Sequence, residues 1–303
     1  MVACSSSPFL YTAFGLTIAS ALECPGLLRG EGAPDVAIRY GQVPTTLGNV
    51  RDRGVAYEVN HSCFLLYPRH IARYLVSAGT DIVIERGQNG RDEDLRIFLL
   101  GSVFGALLHQ RGILPLHGSA IEASRGAVVF TGLSGCGKST VAAAFQKRGY
   151  RVLADDICPV SFDADGTPRA FPAYPQLSLW TDAAEYLHQN VTALRRVRVN
   201  LEKYAVPLRS AFSTQPLPLS AVYELATTNS RTFTLTPLRG KEKLTLLVHN
   251  TYRKQWLRGM GKTAANFQQC AAASQYVNVS RVVRPQYPFL VDELVDLIEQ
   301  DLA

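Results

Sequence analysis

The chain has 303 residues, of which 47% are hydrophobic and 18% are charged, and its formal net charge is +6. These values predict a globular protein of one large or two modest domains that buries a sizeable core. The longest apolar run, residues 97–108, is too short to span a bilayer, so the sequence predicts no membrane-spanning segment.

Cysteine usage and the N-terminal residues both predict a cytoplasmic protein. The six cysteines lie far apart and form no Cys-x-x-Cys pair, which favours reduced thiols. The apolar run at residues 9–22 resembles a secretion signal, but no Lys or Arg precedes Arg29, and Glu23 is unsuited to a cleavage site. We therefore expect no leader peptide.

The first third of the chain alternates short strand-like runs with turn signals. These runs cover residues 9–21, 36–40, 63–67 and 74–85. Three acidic residues, 92–94, then open a helix that continues to His109 and is apolar on nearly all sides. The pattern predicts a small strand-rich N-terminal lobe, residues 1–110, that ends in a buried helix.

A nine-residue motif follows a predicted buried strand at residues 126–131 and precedes a predicted helix at residues 140–148. The motif is Gly132-Leu133-Ser134-Gly135-Cys136-Gly137-Lys138-Ser139-Thr140, which fits Gly-x-x-x-x-Gly-Lys-Ser/Thr at every fixed position. Its backbone N–H groups and the helix N-terminus would cradle phosphates, Lys138 would reach the β and γ phosphates, and Ser139 would bind Mg²⁺. The motif predicts ATP binding, and the alternative is a glycine-rich turn with an incidental lysine.

An acidic pair, Asp155 and Asp156, ends the next predicted strand, residues 151–154. A parallel strand next to the motif strand would bring both carboxylates to the phosphate edge of the sheet. One acid there usually holds Mg²⁺, and a second acid suggests a base for a hydroxyl substrate. The alternative is one metal-side acid followed by an ordinary turn or cap aspartate.

His117 lies on an apolar strand predicted at residues 114–122. A histidine in such a strand is most often a core residue whose hydrogen bonds are satisfied. The phosphate motif downstream and the acidic pair make a functional role the competing interpretation.

The remaining elements follow in chain order, and two basic clusters lie among them. We predict helices at residues 181–190 and 289–302 and two more within 241–273, and strands at residues 221–226, 232–236 and 276–283. The first cluster contains Arg195, Arg196, Arg198 and Lys203, and the second lies within residues 239–258. Such clusters fit an anionic partner, and the alternative is a solvated surface.

Three features in this order resemble the catalytic domain of the HPr kinase/phosphorylase family: His117, the phosphate motif and the segment 149–156. The residues Gly-Leu-Ser-Gly-x-Gly-Lys of the motif also resemble the phosphate loop of phosphoenolpyruvate carboxykinase. The resemblance implies an α/β fold with a phosphate-loop kinase core over residues 111–303, including a C-terminal extension. It implies catalytic roles for Asp155 as base, His117 as its orienting partner and Lys138 at the transferred phosphate, with Ser139 and Asp156 at Mg²⁺.

The wider layout is similar to HPr kinase-related proteins that phosphorylate the C-terminal serine of lasso-peptide precursors. The shared features are Phe14-Gly15-Leu16, the strand at residues 111–117 and the segment Pro175–Trp180. They imply a peptide or small-protein acceptor that carries a serine. From their charge and position after the core helix, we predict that Arg195, Arg196, Arg198 and Lys203 bind this acceptor through its C-terminal carboxylate. Related kinases form oligomers, so a homo-oligomer is a further expectation.

The function that these features favour is an ATP-dependent serine kinase that uses Mg²⁺ and acts on a peptide or small protein. We expect no nucleic acid and no membrane among its partners. Two alternatives stay open at this point: a small-molecule phosphotransferase and a non-enzymatic, nucleotide-dependent regulator.

Overall fold

The computed structural model describes residues 8–186, 190–198 and 201–303, without the side chains at positions 197, 198, 201 and 209. These residues form a mixed α/β protein with several sheets and helices. That architecture agrees with the predicted α/β class at this coarse level.

Strands account for much of the described chain. They are β1 (Phe9–Ala13), β2 (Leu16–Ser20), β3 (Leu28–Arg29), β4 (Val36–Tyr40), β5 (Asp52–Arg53), β6 (Tyr57–Val59), β7 (Cys63–Leu66), β8 (Ala72–Ser77), β9 (Asp81–Arg86), β10 (Leu114–Ala123), β11 (Gly126–Gly132), β12 (Arg151–Ala154), β13 (Ile157–Phe162), β14 (Pro168–Ala170), β15 (Gln176–Trp180), β16 (Arg195–Arg198), β17 (Leu201–Pro207), β18 (Leu217–Thr228), β19 (Thr234–Pro237) and β20 (Asn278–Pro285).

The helices are mostly short. They are α1 (Asp92–Phe98), α2 (Phe104–Arg111), α3 (Lys138–Lys147), α4 (Thr181–Tyr186), α5 (Lys241–His249), α6 (Leu257–Met260), α7 (Thr263–Tyr276) and α8 (Val291–Leu302). A π-helical turn, Leu99–Val103, joins α1 to α2, and 3-10 turns lie at Val191–Ala193, Arg209–Ala211 and Lys254–Trp256. Of the helix predicted at residues 181–190, α4 covers the first part, and residues 187–189 lie outside the described residues.

The chain divides into two compact units. The first contains Met1–Ile113 and Arg253–Asn266, and the second contains Leu114–Tyr252 and Phe267–Ala303. The sequence places the domain boundary at residue 110, whereas the return of residues 253–266 to the first unit has no signal in the sequence pattern.

The first unit is built on a nine-stranded sheet with the order β3-β1-β2-β4-β9-β8-β7-β6-β5. Most pairs are antiparallel, but β4 is parallel to both of its neighbours, β2 and β9. The predicted helix of residues 92–109 is present, and Phe104 of that helix stacks on Phe14 with a centroid distance of 4.9 Å. In the returning segment, Trp256 packs on Phe64 with a centroid distance of 4.4 Å.

Five strands of the second unit form a sheet that closes on itself through hydrogen bonds between its first and last strands. Its order is β11-β10-β13-β14-β18, and β18 then pairs in parallel with β11. Outside these five strands, β20 pairs in parallel with β18, and β19 pairs antiparallel with β20. A separate antiparallel sheet has the order β15-β17-β16, so β16 is an edge strand.

The strand that carries His117 lies between the two strands that end at the phosphate motif and at the acidic pair. β10 pairs antiparallel with β11 on one side and with β12 on the other. The expectation that β12 is a parallel neighbour of β11 is therefore wrong, because β10 intervenes. Since β11 and β12 both run opposite to β10, they are parallel to each other and end at the same edge of the sheet.

An aromatic core fixes helix α3 on this sheet. Phe145 of α3 and Phe130 of β11 are fully buried and stack with a centroid distance of 5.2 Å. Tyr150 meets Phe145 edge to face at 5.0 Å. These contacts fix the position of the helix that begins directly after the glycine-rich loop.

Two global expectations concern the membrane and the thiols. Within the described ranges, no helix combines the length and the apolar character needed to cross a membrane. The five described cysteines, Cys24, Cys63, Cys136, Cys158 and Cys270, form no disulfide with one another. The cytoplasmic location stays a prediction of the sequence.

We expect Phe145→Ala to lower the free energy of unfolding by about 3–5 kcal/mol, because it removes a fully buried ring and leaves a cavity. Phe267→Ala is the matched control, since that ring is 51% exposed and its loss should change stability by no more than about 0.5 kcal/mol. Urea denaturation measures both. Equal losses in the two variants would contradict the packing described here.

Candidate active site

The glycine-rich loop, residues 132–140, joins buried strand β11 to helix α3. Gly132 has φ 130° and lies so close to the neighbouring strand that a Cβ atom would be 2.4 Å from the carbonyl oxygen of Leu225. Gly137 has φ 102°, and a Cβ atom there would be 2.9 Å from the ring of Phe289. Only glycine meets these two requirements, which gives the loop a backbone suited to binding an anion.

Lys138, the first residue of α3, turns its side chain back onto the loop. Its Nζ donates hydrogen bonds of 3.0 Å to the carbonyl oxygens of Gly132 and Leu133, and the residue is 9% exposed. Both partners are neutral, so they leave the positive charge of the ammonium uncompensated. A phosphate oxygen would supply the missing negative charge.

Asp155 follows β12 directly and is almost completely buried, with 5% exposure. Its Oδ1 accepts hydrogen bonds from Ser119 Oγ at 2.6 Å and Ser139 Oγ at 2.8 Å. Its Oδ2 accepts one from the main-chain N–H of Ser178 at 2.7 Å. These donors offset the cost of burying a carboxylate and link it directly to the hydroxyl that the motif assigns to Mg²⁺.

His117 and Asp156 form a second, more exposed pair. Nδ1 of His117 lies 3.0 Å from the main-chain oxygen of Asp156 and 3.5 Å from Oδ1 of the same residue. Since a carbonyl oxygen only accepts, the shorter bond places a proton on Nδ1, and in the neutral ring Nε2 is then an acceptor. The side chains are 32% and 44% exposed, respectively, so both can meet a substrate.

The backbone of Asp156 is unusual. Its φ of 67° is left-handed, a region in which Asp and Asn occur more often than other non-glycine residues. The turn sends the two adjacent carboxylates into different environments, because Asp155 is buried among donors while Asp156 faces the solvent side. Non-glycine residues with such φ values cluster at functional sites.

One cavity joins the loop and the second pair, with a volume of about 190 Å³. It is lined by His117, Ser119, Ser134, Gly135, Gly137, Lys138, Ser139, Thr140, Asp156, Ser178, Leu179, Trp180, Asp182, Lys203, Arg284 and Phe289. Its volume is below the roughly 300–1,000 Å³ of typical ligand pockets, so it suits phosphate groups better than a whole nucleotide.

The predicted acceptor-binding cations divide into two groups. Lys203 of β17 lines the cavity, opposite Trp180 of β15 in the strand register. Arg195 and Arg196 lie on the edge strand β16 and are exposed, and neither is among the described residues that line the cavity. Arg198 also belongs to β16, but its side chain lies outside what the structure describes.

The residues of the site to which the sequence assigned no role include Ser119, Ser178, Arg284 and Phe289. For Ser119 a signal existed, because residues two apart on a strand share a face and His117 lies two positions earlier. Ser178 contributes a main-chain N–H, which no side-chain pattern reveals. Arg284 and Phe289 come from the far end of the chain, beyond the range of local spacing arguments.

No cluster of three or more His, Cys, Asp or Glu side chains suited to a metal ion occurs within residues 8–186, 190–198 and 201–303. Proteins commonly bind Mg²⁺ through one or two carboxylates together with substrate phosphates. The predicted magnesium role of Ser139 and Asp156 stays a prediction.

No protein-family model matches the chain, and no curated protein matches it in sequence. Among solved structures, the chain is similar to the Hpr(Ser) kinase/phosphatase from Coxiella burnetii, with a TM-score of 0.33 and 10% sequence identity. The match covers 62% of this chain and 89% of that one. A likeness at this level carries no argument about activity.

We expect Ser119→Ala to lower the free energy of unfolding by about 1.5–3 kcal/mol, because Asp155 loses a buried donor to a charged acceptor. Ser220→Ala is the control, since its hydroxyl donates to the neutral carbonyl of Ala127 at 2.9 Å. That change should cost about 0.5–1.5 kcal/mol. Chemical denaturation at neutral pH compares the two, and a smaller loss for Ser119→Ala would contradict the role given to Asp155.

Proposed function

We propose that the chain is an ATP-dependent kinase that transfers a phosphoryl group to a serine hydroxyl of a peptide or small protein. The observation that supports this most strongly is the 2.8 Å hydrogen bond between Ser139 and Asp155, with the His117–Asp156 pair facing the same cavity. A metal-side acid next to a phosphate motif is common to many nucleotide-binding proteins. A second, separate carboxylate paired with histidine suits proton removal from an attacking hydroxyl.

The residues of the loop fit a nucleotide. Backbone N–H groups of residues 134–140 and the N-terminus of α3 would hold the phosphates, with the Lys138 ammonium next to them. Ser139, through its hydroxyl, would contribute to the magnesium site. When bound, ATP supplies the phosphoryl group and Mg²⁺ neutralises its charge.

The environments of the two aspartates favour a division of roles opposite to the one that the family resemblance implies. Asp155 has both oxygens engaged by donors, one of them the hydroxyl of Ser139, which suits a residue at the metal. Asp156 lines the cavity and contacts His117, which suits the base. We therefore assign Asp156 as the base and Asp155 to the magnesium side.

His117 would then act on Asp156 from a fixed position. Its main-chain N–H donates to Asn250 at 2.7 Å, and its main-chain oxygen accepts from Thr131 Oγ1 at 2.8 Å. These two hydrogen bonds fix the backbone of His117 and so restrict where its ring can lie. A base within reach of the attacking hydroxyl typically contributes a rate factor of ~10²–10⁴.

A peptide acceptor is supported by the residues around the mouth of the cavity. Trp180 is 45% exposed and lines the cavity together with Lys203 and Asp182. The edge strand β16, which pairs with the strand of Lys203, carries exposed Arg195 and Arg196 outside the cavity lining, and these can pair with an acidic group or a C-terminal carboxylate. With the resemblance to lasso-peptide precursor kinases, these features favour a peptide that ends in serine.

We expect Lys138→Ala to abolish measurable binding of Mg²⁺–ATP while the protein still folds. Calorimetric titration measures the binding, and a thermal melt checks the fold. Lys147→Ala is the matched control, because that lysine ends the same helix and its ammonium lies over the Tyr186 ring at 4.2 Å. Unchanged ATP affinity in Lys138→Ala would rule out the nucleotide assignment.

We expect Asp156→Asn to keep Mg²⁺–ATP affinity but to slow phosphoryl transfer by about 10²–10⁴-fold, because an amide cannot accept the hydroxyl proton. Asn also tolerates the left-handed backbone, so the change isolates the charge. Asp155→Asn should instead lower the affinity for Mg²⁺ and the free energy of unfolding.

The assay follows transfer from ATP to a synthetic peptide that ends in serine, together with Mg²⁺ titrations of both variants. The opposite result would be loss of transfer with full Mg²⁺ affinity in Asp155→Asn and reduced Mg²⁺ affinity in Asp156→Asn. That result would restore the roles that the family resemblance implies, with Asp155 as the base and Asp156 at Mg²⁺. Full transfer in both variants would contradict both role assignments, and absence of transfer by the wild type would contradict the kinase itself.

A further inference from the structure

Arg284, near the end of β20, is a buried cation at the glycine-rich loop. It is 5% exposed. Its Nε and Nη2 donate to the main-chain oxygen of Cys136 at 3.4 and 3.1 Å, and its Nη1 donates to the main-chain oxygen of Pro285 at 2.7 Å. The guanidinium carbon lies 3.8 Å from the centre of the Phe289 ring.

The charge of Arg284 is not balanced by an acid. Its hydrogen-bond partners are neutral carbonyls, and within the described part of the chain it forms no ion pair with an acid. Arg281 on the same strand differs, because it pairs with Glu224 at 2.6 Å. Burial lowers the pKa of Arg284, as expected for a cation removed from water. A buried charge is costly unless it is compensated, so this position favours an anion.

Arg284 also restrains one peptide unit of the loop. In a trans peptide the C=O and the following N–H point in opposite directions. By holding the carbonyl of Cys136, Arg284 therefore fixes the direction of the Gly137 N–H, which is one of the loop donors. Phe289 contacts both parts of this arrangement, since it stacks on the guanidinium and packs against Gly137.

We propose that Arg284 is a positioning residue of the phosphate site. It holds the Cys136–Gly137 peptide in the orientation that accepts an anion, and it adds positive charge that a bound polyphosphate neutralises. This inference rests on the proposed function, because it takes the polyphosphate of a nucleotide as the ligand.

The test compares Arg284→Gln, Arg284→Lys and the control Arg281→Gln in the full chain. The probes are Mg²⁺–ATP and inorganic tripolyphosphate, measured by calorimetric titration, and a thermal melt without ligand reports folding. We expect Arg284→Gln to lower the affinity for both probes by about tenfold or more, which is the loss typical of a charge-assisted hydrogen bond. Arg284→Lys should restore part of the affinity, because it keeps the charge but not the planar fork. Arg281→Gln should bind both probes like the wild type.

Wild-type affinity in a folded Arg284→Gln would overturn the inference. If that variant does not fold, Arg284→Lys decides, and wild-type affinity there would overturn the positioning role. Loss of binding in Lys138→Ala with none in the Arg284 variants would reject only this inference. Failure of the wild-type chain to bind either probe would reject the proposed function as well.

Discussion

The carboxylate of Asp155 is the point on which the site depends. It collects donors from β10, α3 and β15, through Ser119, Ser139 and Ser178 respectively. A carboxylate buried to this degree is tolerable only if its hydrogen bonds are made, so the three elements must stay in register with one another. Strand β10, the helix that begins in the motif and the separate three-stranded sheet are thereby fixed around a single side chain.

The glycine-rich loop is held by two cations that both bind carbonyl oxygens. Lys138 binds the carbonyls at the start of the loop, and Arg284 binds the carbonyl of Cys136 near its end. Both contacts restrain the loop backbone and keep two positive charges beside it, as a preorganised anion site requires.

The sequence predicts the local parts of the site well, since they depend on adjacent residues. The order of strand, glycine-rich loop and helix is observed as β11, residues 132–140 and α3, and the strand before Asp155 is observed as β12. The sheet order could not be predicted, because the antiparallel β10 comes between β11 and β12 through contacts distant in sequence. The same limit applies to Arg284 and to the main-chain donor of Ser178, neither of which has a local signal. The different environments of the two aspartates arise from the left-handed turn at Asp156, which propensity alone does not indicate.

The position of β10 has a consequence for the mobility of the site. This strand is hydrogen-bonded along both edges, to β11 on one side and to β12 and β13 on the other. Amides in such a strand exchange with solvent only when the surrounding sheet opens, whereas those of an edge strand such as β16 exchange through local fraying. His117 and Ser119, which lie on β10, thus belong to the slowly exchanging part of the unit. The exposed Arg195 and Arg196 belong instead to the edge strand, whose amides exchange more readily.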